Sequence, residues 1–519
     1  MPPTSLPITL KFKAKNLANK DLLSKSDPLL VVYQLLPIQK CFNFKPEKGN
    51  FKTQEIFRTE RIKNELNPEW ENTMTMEYKF EEEQWIFIQI LDIDAKHSTN
   101  VKDQDFLGGV ITTVGRIING QKDGWFDAAL QNANQMPILV KGTTSLVCVK
   151  TTVMPRVSSN YKIRCEFTLK STKIFGSDTP YFTITNQNGQ SIYESKKGNG
   201  KVTKYDAFAL PGMHAVNTTW TFAHTHEKDG RIGTVTIAES YMQTLPSGTS
   251  MLVVDDKGVT RGTLTFVEIA QSETKEEIKE SIVHQLNNGL NISAVVAIDF
   301  TGSNGDPREP HSLHYLNGTN AYRKALLSIL AIIDQYDKDG SYPVFGFGMS
   351  YNKGPTDHAK LLVADAKYSD GAIMAYESAV RSSGFELSGP TNFSPIINTV
   401  VANLGNAKQS YTVLVIFTDG AITDMDATIE AIVSASYKPI SLIIVGIGDA
   451  DFGAMNKLDN DGKPPLKDYR GRSAMRDIVQ FVPMNECLTG AKLQSATLAE
   501  LPGQIMEYER KGFSLSNPV

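Results

Sequence analysis

The residues best suited to chemistry follow an apolar run, Ile292 to Ile298. Asp299, Thr301 and Ser303 come directly after it and place one carboxylate and two hydroxyls at alternate positions. Because a buried strand ends at the carboxyl edge of a parallel sheet, the turn after it points these oxygens at one spot. Hard divalent cations such as Mg²⁺ prefer oxygen ligands and keep some of their waters. The spacing therefore predicts an oxygen-only metal site at a strand end.

Two further oxygens lie downstream in similar settings. Asp419 ends another apolar run, Val413 to Phe417, and Thr391 lies in the segment Gly389-Pro390-Thr391-Asn392-Phe393. An isolated Asp-x-Thr-x-Ser sequence at a strand end is more often an ordinary capped turn. The Asp-x-Thr-x-Ser sequence taken together with Thr391 and Asp419 favours metal binding over a capped turn.

The set Asp299, Thr301, Ser303, Thr391 and Asp419 resembles the metal-ion-dependent adhesion site of von Willebrand A domains. That family usually has Ser where this chain has Thr301, whereas Asp-Phe-Thr-x-Ser-Asn-Gly-Asp-Pro is the form that copines carry. The resemblance to copines covers nearly the whole chain and includes four further stretches: His311-Ser312-Leu313-His314-Tyr315, Phe345-Gly346-Phe347-Gly348, Thr418-Asp419-Gly420-Ala421-Ile422-Thr423-Asp424-Met425 and Val445-Gly446-Ile447-Gly448-Asp449-Ala450-Asp451-Phe452. It implies a Mg²⁺ or Mn²⁺ ion whose open position receives an acidic side chain of a protein partner.

Length and composition predict a multidomain globular chain. With 519 residues, of which 41% are hydrophobic and 21% charged, there is room for about three domains. The formal net charge of -4 carries no bulk basic signature, so no nucleic-acid partner is expected. The first seven residues lack the regions of a signal peptide, and no window offers about 18 uninterrupted apolar residues. Scattered cysteines without C-x-x-C spacing predict reduced thiols, and we expect a cytoplasmic protein.

Sequence periodicity changes near Gln271. Before that residue, short alternating strands between turns predict β-sandwiches, for example Ile8 to Lys13, Leu29 to Leu35, Thr73 to Tyr78 and Trp85 to Leu91. A weak internal repeat indicates two sandwiches in tandem, at residues 1–154 and 160–271. The polar stretch from Pro155 to Asn160 is the predicted linker.

After Gln271, helices alternate with apolar strands. Lys275 to Asn288 is predicted to form a charged helix, and a second helix has apolar residues at helical spacing: Leu326, Ile329, Leu330 and Ile333. The predicted strands are Ile292–Ile298, Val344–Phe347, Val413–Phe417 and Ser441–Val445. This pattern implies a mainly parallel sheet covered on both faces. The predicted fold class is therefore multidomain, with two all-β C2 sandwiches followed by an α/β doubly wound, Rossmann-like von Willebrand A domain at residues 275–515.

Five aspartates are predicted to converge on one end of the first sandwich: Asp21, Asp27, Asp92, Asp94 and Asp105. Their mutual repulsion is relieved if Ca²⁺, which takes about 6 to 8 oxygens, holds them together. The set resembles the calcium site of C2 domains. In such domains bound Ca²⁺ leaves coordination positions open, and phospholipid phosphates fill them.

The loops that flank these aspartates carry apolar side chains. Three of them are predicted to enter the interfacial region of an anionic membrane once calcium neutralises the acidic tip: Leu22, Leu23 and Val101. Three basic residues could add attraction to anionic lipid, although an ordinary solvated strand face accounts for them better: Arg58, Arg61 and Lys63.

The second sandwich departs from this pattern. The positions that correspond to the calcium aspartates fall near Lys173 and on His224 and His226, and only Asp178 remains near a ligand position. Because Ca²⁺ selects oxygen over nitrogen, we predict a degenerate calcium site and a calcium-independent structural or docking module.

The sequence carries no P-loop, no G-x-S-x-G and no zinc-hydrolase helix, and Ser303 has no neighbouring histidine to activate it. We therefore predict no enzyme but a calcium-dependent, phospholipid-binding peripheral membrane adaptor. It would recruit protein partners in signalling or membrane trafficking, and move from the cytoplasm to plasma or endosomal membranes when calcium rises. A calcium-independent assembly scaffold is the first alternative, and a metal-assisted hydrolase or transferase is the second.

Overall fold

A computed structural model describes most of the chain: residues 5–21, 24–35, 53–93, 104–169, 180–186, 190–197, 202–211, 219–226, 230–242, 244–276, 281–318, 320–404, 410–420, 422–459, 464–487 and 490–512. The chain forms two compact units. Met1–Val153 and Lys279–Val519 together make up one unit, and Met154–Ile278 makes up the other. The first sandwich and the α/β domain thus belong to one unit, and the second sandwich forms a unit of its own.

The first sandwich consists of short strands and one short helix: β1 (Ser5–Lys15), β2 (Pro28–Leu35), β3 (Thr53–Arg58), β4 (Met74–Lys79), β5 (Trp85–Asp92), β6 (Asp105–Thr113), α1 (Val114–Asn119), β7 (Phe126–Ala129), β8 (Leu139–Val140), β9 (Thr143–Thr144) and β10 (Leu146–Val153). Two four-stranded sheets have the orders β4-β1-β10-β7 and β3-β2-β5-β6. Every second residue of β1 is buried, as expected when one face of a strand meets the core. The four strands predicted here are confirmed, three of them with slightly wider bounds and β4 shifted by one residue.

The second sandwich has these elements: β11 (Arg156–Leu169), β12 (Pro180–Thr185), β13 (Ser191–Glu194), β14 (Val202–Lys204), β15 (Phe208–Pro211), β16 (Thr219–His226), β17 (Gly230–Ala238), α2 (Glu239–Met242), β18 (Ser250–Val254) and β19 (Thr260–Glu276). Its strands are joined in one hydrogen-bonded sheet that runs from β13 to β14, with β15 paired to β11. An aromatic core that includes Phe182, Trp220 and Phe222 lies within it.

Two predicted elements at the borders of this sandwich are wrong. The segment Pro155 to Asn160 is not a linker, because β11 begins at Arg156 and pairs with β19 along its whole length, with Arg156 opposite Glu276. For the same reason the predicted helix from Lys275 does not start there, since α3 begins only at Ile282. Polar side chains indicated a loop and a helix, but backbone pairing with a long neighbouring strand determines the structure at both places.

The α/β domain alternates strands and helices: α3 (Ile282–Asn287), β20 (Asn291–Asp299), α4 (Ala321–Ile333), β21 (Ser341–Phe347), β22 (Met349–Tyr351), β23 (Lys360–Lys367), α5 (Tyr368–Arg381), β24 (Phe385–Leu387), α6 (Ser394–Ala402), β25 (Ser410–Thr418), α7 (Met425–Ala435), β26 (Ile440–Gly446), α8 (Gly453–Asp459), β27 (Val479–Pro483), α9 (Gly490–Leu498) and α10 (Leu501–Arg510). Single 3₁₀ turns lie at Gly302–Asn304 and Met484–Glu486. In the described residues, no helix has both the length and the apolar character needed to cross a bilayer.

The main sheet of this domain has the order β23-β21-β20-β25-β26-β27. Its neighbours pair in parallel except at β23, which is antiparallel to β21. The predicted mainly parallel sheet is therefore confirmed. The two edge strands, β23 and β27, were not predicted, because neither is a continuous apolar run. The four apolar residues predicted for one face of α4 are all buried.

The first sandwich contacts the α/β domain through the end of β4 and through α1. The hydroxyls of Tyr78 and Tyr336 lie 2.5 Å apart, and the rings of Phe80 and Tyr336 stack with centroids 4.3 Å apart. Nearby, Asn119 Nδ2 donates to the carbonyl of Gln335 at 3.2 Å. Buried aromatic stacking and a hydroxyl pair thus join the two domains within the first compact unit.

Candidate metal centres

Both predicted carboxylates of the adhesion-type site lie at one edge of the parallel sheet. β20 ends at Asp299, and its neighbour β25 ends one residue before Asp419, with Ile298 and Phe417 in register. Asp299 is fully buried, and Asp419 is 5% exposed. Adjacent parallel strands therefore carry two carboxylates to one place, as the sequence predicted.

A chain of hydrogen bonds connects all five predicted residues. Thr301 Oγ1 donates to Asp299 Oδ1 at 2.7 Å and lies 3.0 Å from Ser303 Oγ. Ser303 Oγ donates to Asp419 Oδ1 at 2.9 Å, and Thr391 Oγ1 donates to Thr301 Oγ1 at 3.4 Å. The structure thus brings two carboxylates and three hydroxyls together, which is the donor set that a hard cation prefers.

The electrostatics of this cluster fit a bound cation. Burial, and next to it the charge of Asp299, raises the pKa of Asp419 to about 7. Burial also raises the pKa of Asp299, although hydrogen bonds from Thr418 and Thr301 oppose the shift. Two buried carboxylates without a counter-charge are costly, so a divalent ion at this edge would relieve both the burial and the repulsion.

The pH dependence of metal affinity follows from the raised pKa of Asp419. A ligating carboxylate must lose its proton, and protons compete with the metal below a pKa of about 7. We expect Mn²⁺ affinity to rise with pH and to be about tenfold weaker near pH 6 than near pH 8. Isothermal titration with Mn²⁺ across this range measures the affinity, and Asp419→Asn should bind Mn²⁺ weakly at every pH because it has lost this ligand. An affinity that is flat with pH in the natural chain would contradict the assignment.

Two site residues escaped the sequence analysis, although both lie beside the predicted ligands. Thr418 Oγ1 donates to Asp299 Oδ2 at 2.6 Å, and Asn304 Nδ2 donates to Asp419 Oδ1 at 3.0 Å. Each holds one carboxylate in place. Their position directly next to Asp419 and Ser303 in sequence was the available signal.

A buried polar network lies behind the site and was not predicted. His314 Nε2 is 2.9 Å from the carbonyl of Asp299, and its Nδ1 is 3.1 Å from the hydroxyl of Tyr376. Burial lowers the pKa of His314 to about 3, so the ring is neutral. Because a carbonyl only accepts, Nε2 carries the proton and Nδ1 accepts from Tyr376, which in turn accepts from Asn320. The network fixes the end of β20.

Close backbone approach sets the position of Thr301. Gly348 has a φ of 68°, and a Cβ there would overlap the Cγ2 methyl of Thr301. Glycine is therefore required at this position both for its backbone conformation and for space. On the other side, Asp424 accepts from the backbone N–H groups of Phe393 and Ser394 at 3.0 and 2.9 Å. These contacts tie the Thr391 segment to the loop after β25.

The first sandwich brings three of its five predicted aspartates to one end. The backbone N–H of Asp27 donates to Asp92 Oδ1 at 2.6 Å, and Asp105 is the cross-strand partner of Asp92. Asp21 lies in the loop before β2, where its carboxylate accepts from Ser24 Oγ at 2.6 Å. Asp94 lies outside the described residues, as do the membrane-contact candidates Leu22, Leu23 and Val101.

Asp92 provides the test of whether a cation fits this end. It is fully buried, and within the described part of the chain its Oδ2 has no hydrogen-bond partner. A buried carboxylate oxygen without a partner is costly, and a cation is the natural partner for it. The donor set consists of oxygens only, so the residues fit Ca²⁺.

No group of three or more His, Cys, Asp or Glu side chains is arranged to hold a metal among the described residues. For the adhesion-type site this follows from its composition, because three of its five oxygens are hydroxyls. For the sandwich site, no three of the four described aspartates, Asp21, Asp27, Asp92 and Asp105, are arranged in this way, and the fifth, Asp94, lies outside the described residues.

In the second sandwich, His224 and His226 occupy alternate positions at the end of β16, opposite Phe182 and Pro180 of β12. Lys173 and Asp178 lie outside the described residues. The degenerate calcium site predicted for this module stays a prediction.

Comparisons with known proteins cover both domains that carry a candidate centre, although the match to the Copine model begins after Asp299, Thr301 and Ser303. A family model described as C2 domain matches residues 9–128, and one described as Copine matches residues 312–515. The chain is 30% identical to Protein BONZAI 1 of Arabidopsis thaliana, over 97% of this chain and 90% of that protein. It is 31% identical to Copine-C of Dictyostelium discoideum, over 98% of this chain and 95% of that protein. A solved structure described as BON1-C2B is 22% identical, covers 29% of this chain and 92% of its own, and has a TM-score of 0.21, which is too low to support an argument.

Proposed function

The chain belongs to the copine family, and from that premise we propose a peripheral membrane adaptor that docks on anionic phospholipid when calcium rises and recruits protein partners through a Mg²⁺ or Mn²⁺ site. The family-model matches supply a C2 domain near the N-terminus and a copine domain near the C-terminus. The observation that carries the proposal is the Oδ2 of Asp92, which is buried at the acidic end of the first sandwich and has no partner among the described residues.

The calcium half of the proposal rests on charge. Without calcium, the end formed by Asp21, Asp27, Asp92 and Asp105 is acidic and repels anionic lipid. Bound Ca²⁺ would neutralise this end and offer open coordination positions to lipid phosphate. We assign Asp94 to the same site, and Leu22, Leu23 and Val101 to the membrane contact.

The partner half rests on the edge of the parallel sheet. We assign the domain to the von Willebrand A fold, which is supported by the parallel order of β21, β20, β25 and β26 and by carboxylates at the ends of two central strands. The five oxygens of Asp299, Thr301, Ser303, Thr391 and Asp419 would hold Mg²⁺ or Mn²⁺. An acidic side chain of a partner would complete the coordination of the ion.

The second sandwich is proposed to be a calcium-independent structural or docking module. This proposal is supported by the two histidines, His224 and His226, that end β16 where the first sandwich has aspartates, because Ca²⁺ prefers oxygen ligands. We infer binding rather than catalysis for the whole chain. We also propose that it resides in the cytoplasm and moves to plasma or endosomal membranes upon a calcium rise, in signalling or membrane trafficking.

Sedimentation of the purified chain with phosphatidylserine liposomes across a calcium titration tests the proposal. We expect pelleting that rises with calcium and is reversed by a chelator, because neutralising the acidic end removes its repulsion from the anionic surface. Phosphatidylcholine liposomes provide the control for charge. Equal pelleting with and without calcium would favour the calcium-independent scaffold instead.

A further inference from the structure

We propose that Arg61 is a built-in cation that competes with calcium for the acidic end of the first sandwich, and so sets the calcium concentration at which that end fills. The inference rests on the calcium site proposed above. It assigns a role to a residue that is no ligand itself, and it concerns the affinity of the site rather than its existence.

The guanidinium of Arg61 already occupies two oxygens of this end. Its Nη2 lies 2.9 Å from Asp27 Oδ2, and its Nη1 donates to the carbonyl of Ile93 at 3.4 Å. Asp27 directly precedes β2 and Ile93 directly follows β5, so one side chain spans the two segments that frame the acidic end. Carboxylate and backbone carbonyl oxygens are also the ligands that Ca²⁺ takes.

Backbone contacts hold Arg61 in this position. The N–H of Ile62 donates to the carbonyl of Pro28 at 3.1 Å, and the N–H of Glu65 donates to the carbonyl of Ser26 at 3.1 Å. The segment around Arg61 is thereby fixed alongside the chain around Asp27. The side chains of Arg61 and Asp27 are 29% and 18% exposed. The ion pair is therefore preorganised and partly shielded, unlike a pair of two mobile surface side chains.

Calcium must break this pair to use Asp27 fully. Asp27 Oδ1 accepts from the backbone N–H of Asn64 at 2.7 Å, so Oδ2 is the oxygen that Arg61 neutralises. A Ca²⁺ ion that binds Oδ2 displaces the guanidinium, and the displaced positive charge stays beside the ion. Both effects weaken calcium binding relative to a chain without this charge.

Arg58 supplies the matched control, since it carries the same charge three residues earlier. Its guanidinium pairs with Glu55 at 2.8 Å, within β3 itself. Arg58→Gln therefore changes the net charge of the sandwich as Arg61→Gln does, but it leaves the contacts of Asp27 and Ile93 in place.

Isothermal titration of the full chain with Ca²⁺ tests the proposal. We expect Arg61→Gln to bind calcium about fivefold more tightly than the natural chain, which corresponds to a partly shielded ion pair. Arg58→Gln should stay within about twofold, and added potassium chloride should narrow the gap because salt screens the pair. In chelator, Arg61→Gln should melt at a lower temperature than the natural chain, and calcium should raise its melting temperature by more.

The outcomes separate this inference from the proposed function. If the natural chain binds calcium and Arg61→Gln binds equally or more weakly, Arg61 is no competitor and the calcium switch stands. If neither binds calcium, both proposals are wrong. Binding by Arg61→Gln alone supports the competition in its strongest form. Should Arg61→Gln fail to fold, Arg61→Lys keeps the charge but cannot span both oxygens, and its affinity should still increase, by about twofold.

Discussion

Replacing Asp299 with alanine should abolish Mn²⁺ binding at the adhesion-type site and with it the capture of protein partners. Asp299 is fully buried at the end of β20, and both of its oxygens are held by hydroxyls, those of Thr301 and Thr418. Removing it takes away the carboxylate around which the other oxygens are arranged. We expect at least about a hundredfold loss of Mn²⁺ affinity, since losing even an outer partner of a metal ligand costs about 10- to 100-fold. Titration calorimetry measures the affinity, and pull-down from lysate with and without chelator measures the capture.

Two further variants control for misfolding. Thr391→Ala removes a hydroxyl whose only hydrogen bond within the described part of the chain is the long one to Thr301, so the fold should survive while metal affinity falls. Asp306→Asn removes a carboxylate from the same loop that pairs with Arg308 at 2.5 Å, and it should leave Mn²⁺ binding unchanged. Partner capture that persists in both Asp299→Ala and Thr391→Ala would contradict the assignment of partner binding to the adhesion-type site.

Lipid binding should be unaffected by these changes, although the first sandwich and the α/β domain share one compact unit. The contact between them involves Tyr78 and Phe80, near the start of β5, whereas Asp92 lies at its other end. Eight residues of strand separate the two ends by about 23 Å. In the α/β domain, Tyr336 precedes β21, which runs parallel to β20. The predicted metal ligands follow β20 and therefore lie at the opposite edge of the sheet. Each site therefore lies away from the shared contact.

The sequence allowed the positions of the residues of the adhesion-type cluster to be predicted, because its two carboxylates belong to strand ends. A parallel sheet brings the carboxyl ends of neighbouring strands to one edge, so apolar runs that end in Asp299 and Asp419 determine where both carboxylates go. The hydroxyls of Thr301 and Ser303 follow by local spacing. Local sequence and sheet topology suffice for such a site.

The features that the sequence did not reveal depend on contacts between segments that are distant in the chain. Asp92 was predicted as one of five equal aspartates, but only the packed sandwich shows that it is buried and that, within the part of the chain the structure describes, one of its oxygens has no partner. His314 supports Asp299 from 15 residues away, and the polarity of its sequence neighbours gives no sign of that burial. Arg61 looked like part of a solvated strand face, and its pairing with Asp27 is seen only when β2 and the segment after β3 lie side by side. Pairwise tertiary contacts of this kind have no periodic signature.

Replacing Asp92 with asparagine should strongly weaken calcium-dependent pelleting with phosphatidylserine liposomes while keeping the fold. Asparagine has the same shape, and its side-chain oxygen can still accept the N–H of Asp27 that Asp92 Oδ1 accepts at 2.6 Å. It lacks the charge that Ca²⁺ requires at a fully buried position. We expect at least about a tenfold rise in the calcium needed for half-maximal pelleting, because one of the negative ligands is lost.

Stability without calcium distinguishes this effect from unfolding. In chelator Asp92 Oδ2 is buried with no partner among the described residues, so Asp92→Asn should melt at the same or a higher temperature than the natural chain. Asp127→Asn is the matched control, because Asp127 lies in the other sheet of the sandwich and pairs with Lys15 at 3.1 Å. Its pelleting should match that of the natural chain. An Asp92→Asn chain that pellets at the natural calcium concentration would contradict the role of Asp92 as a calcium ligand, and with it the observation on which the proposed switch rests.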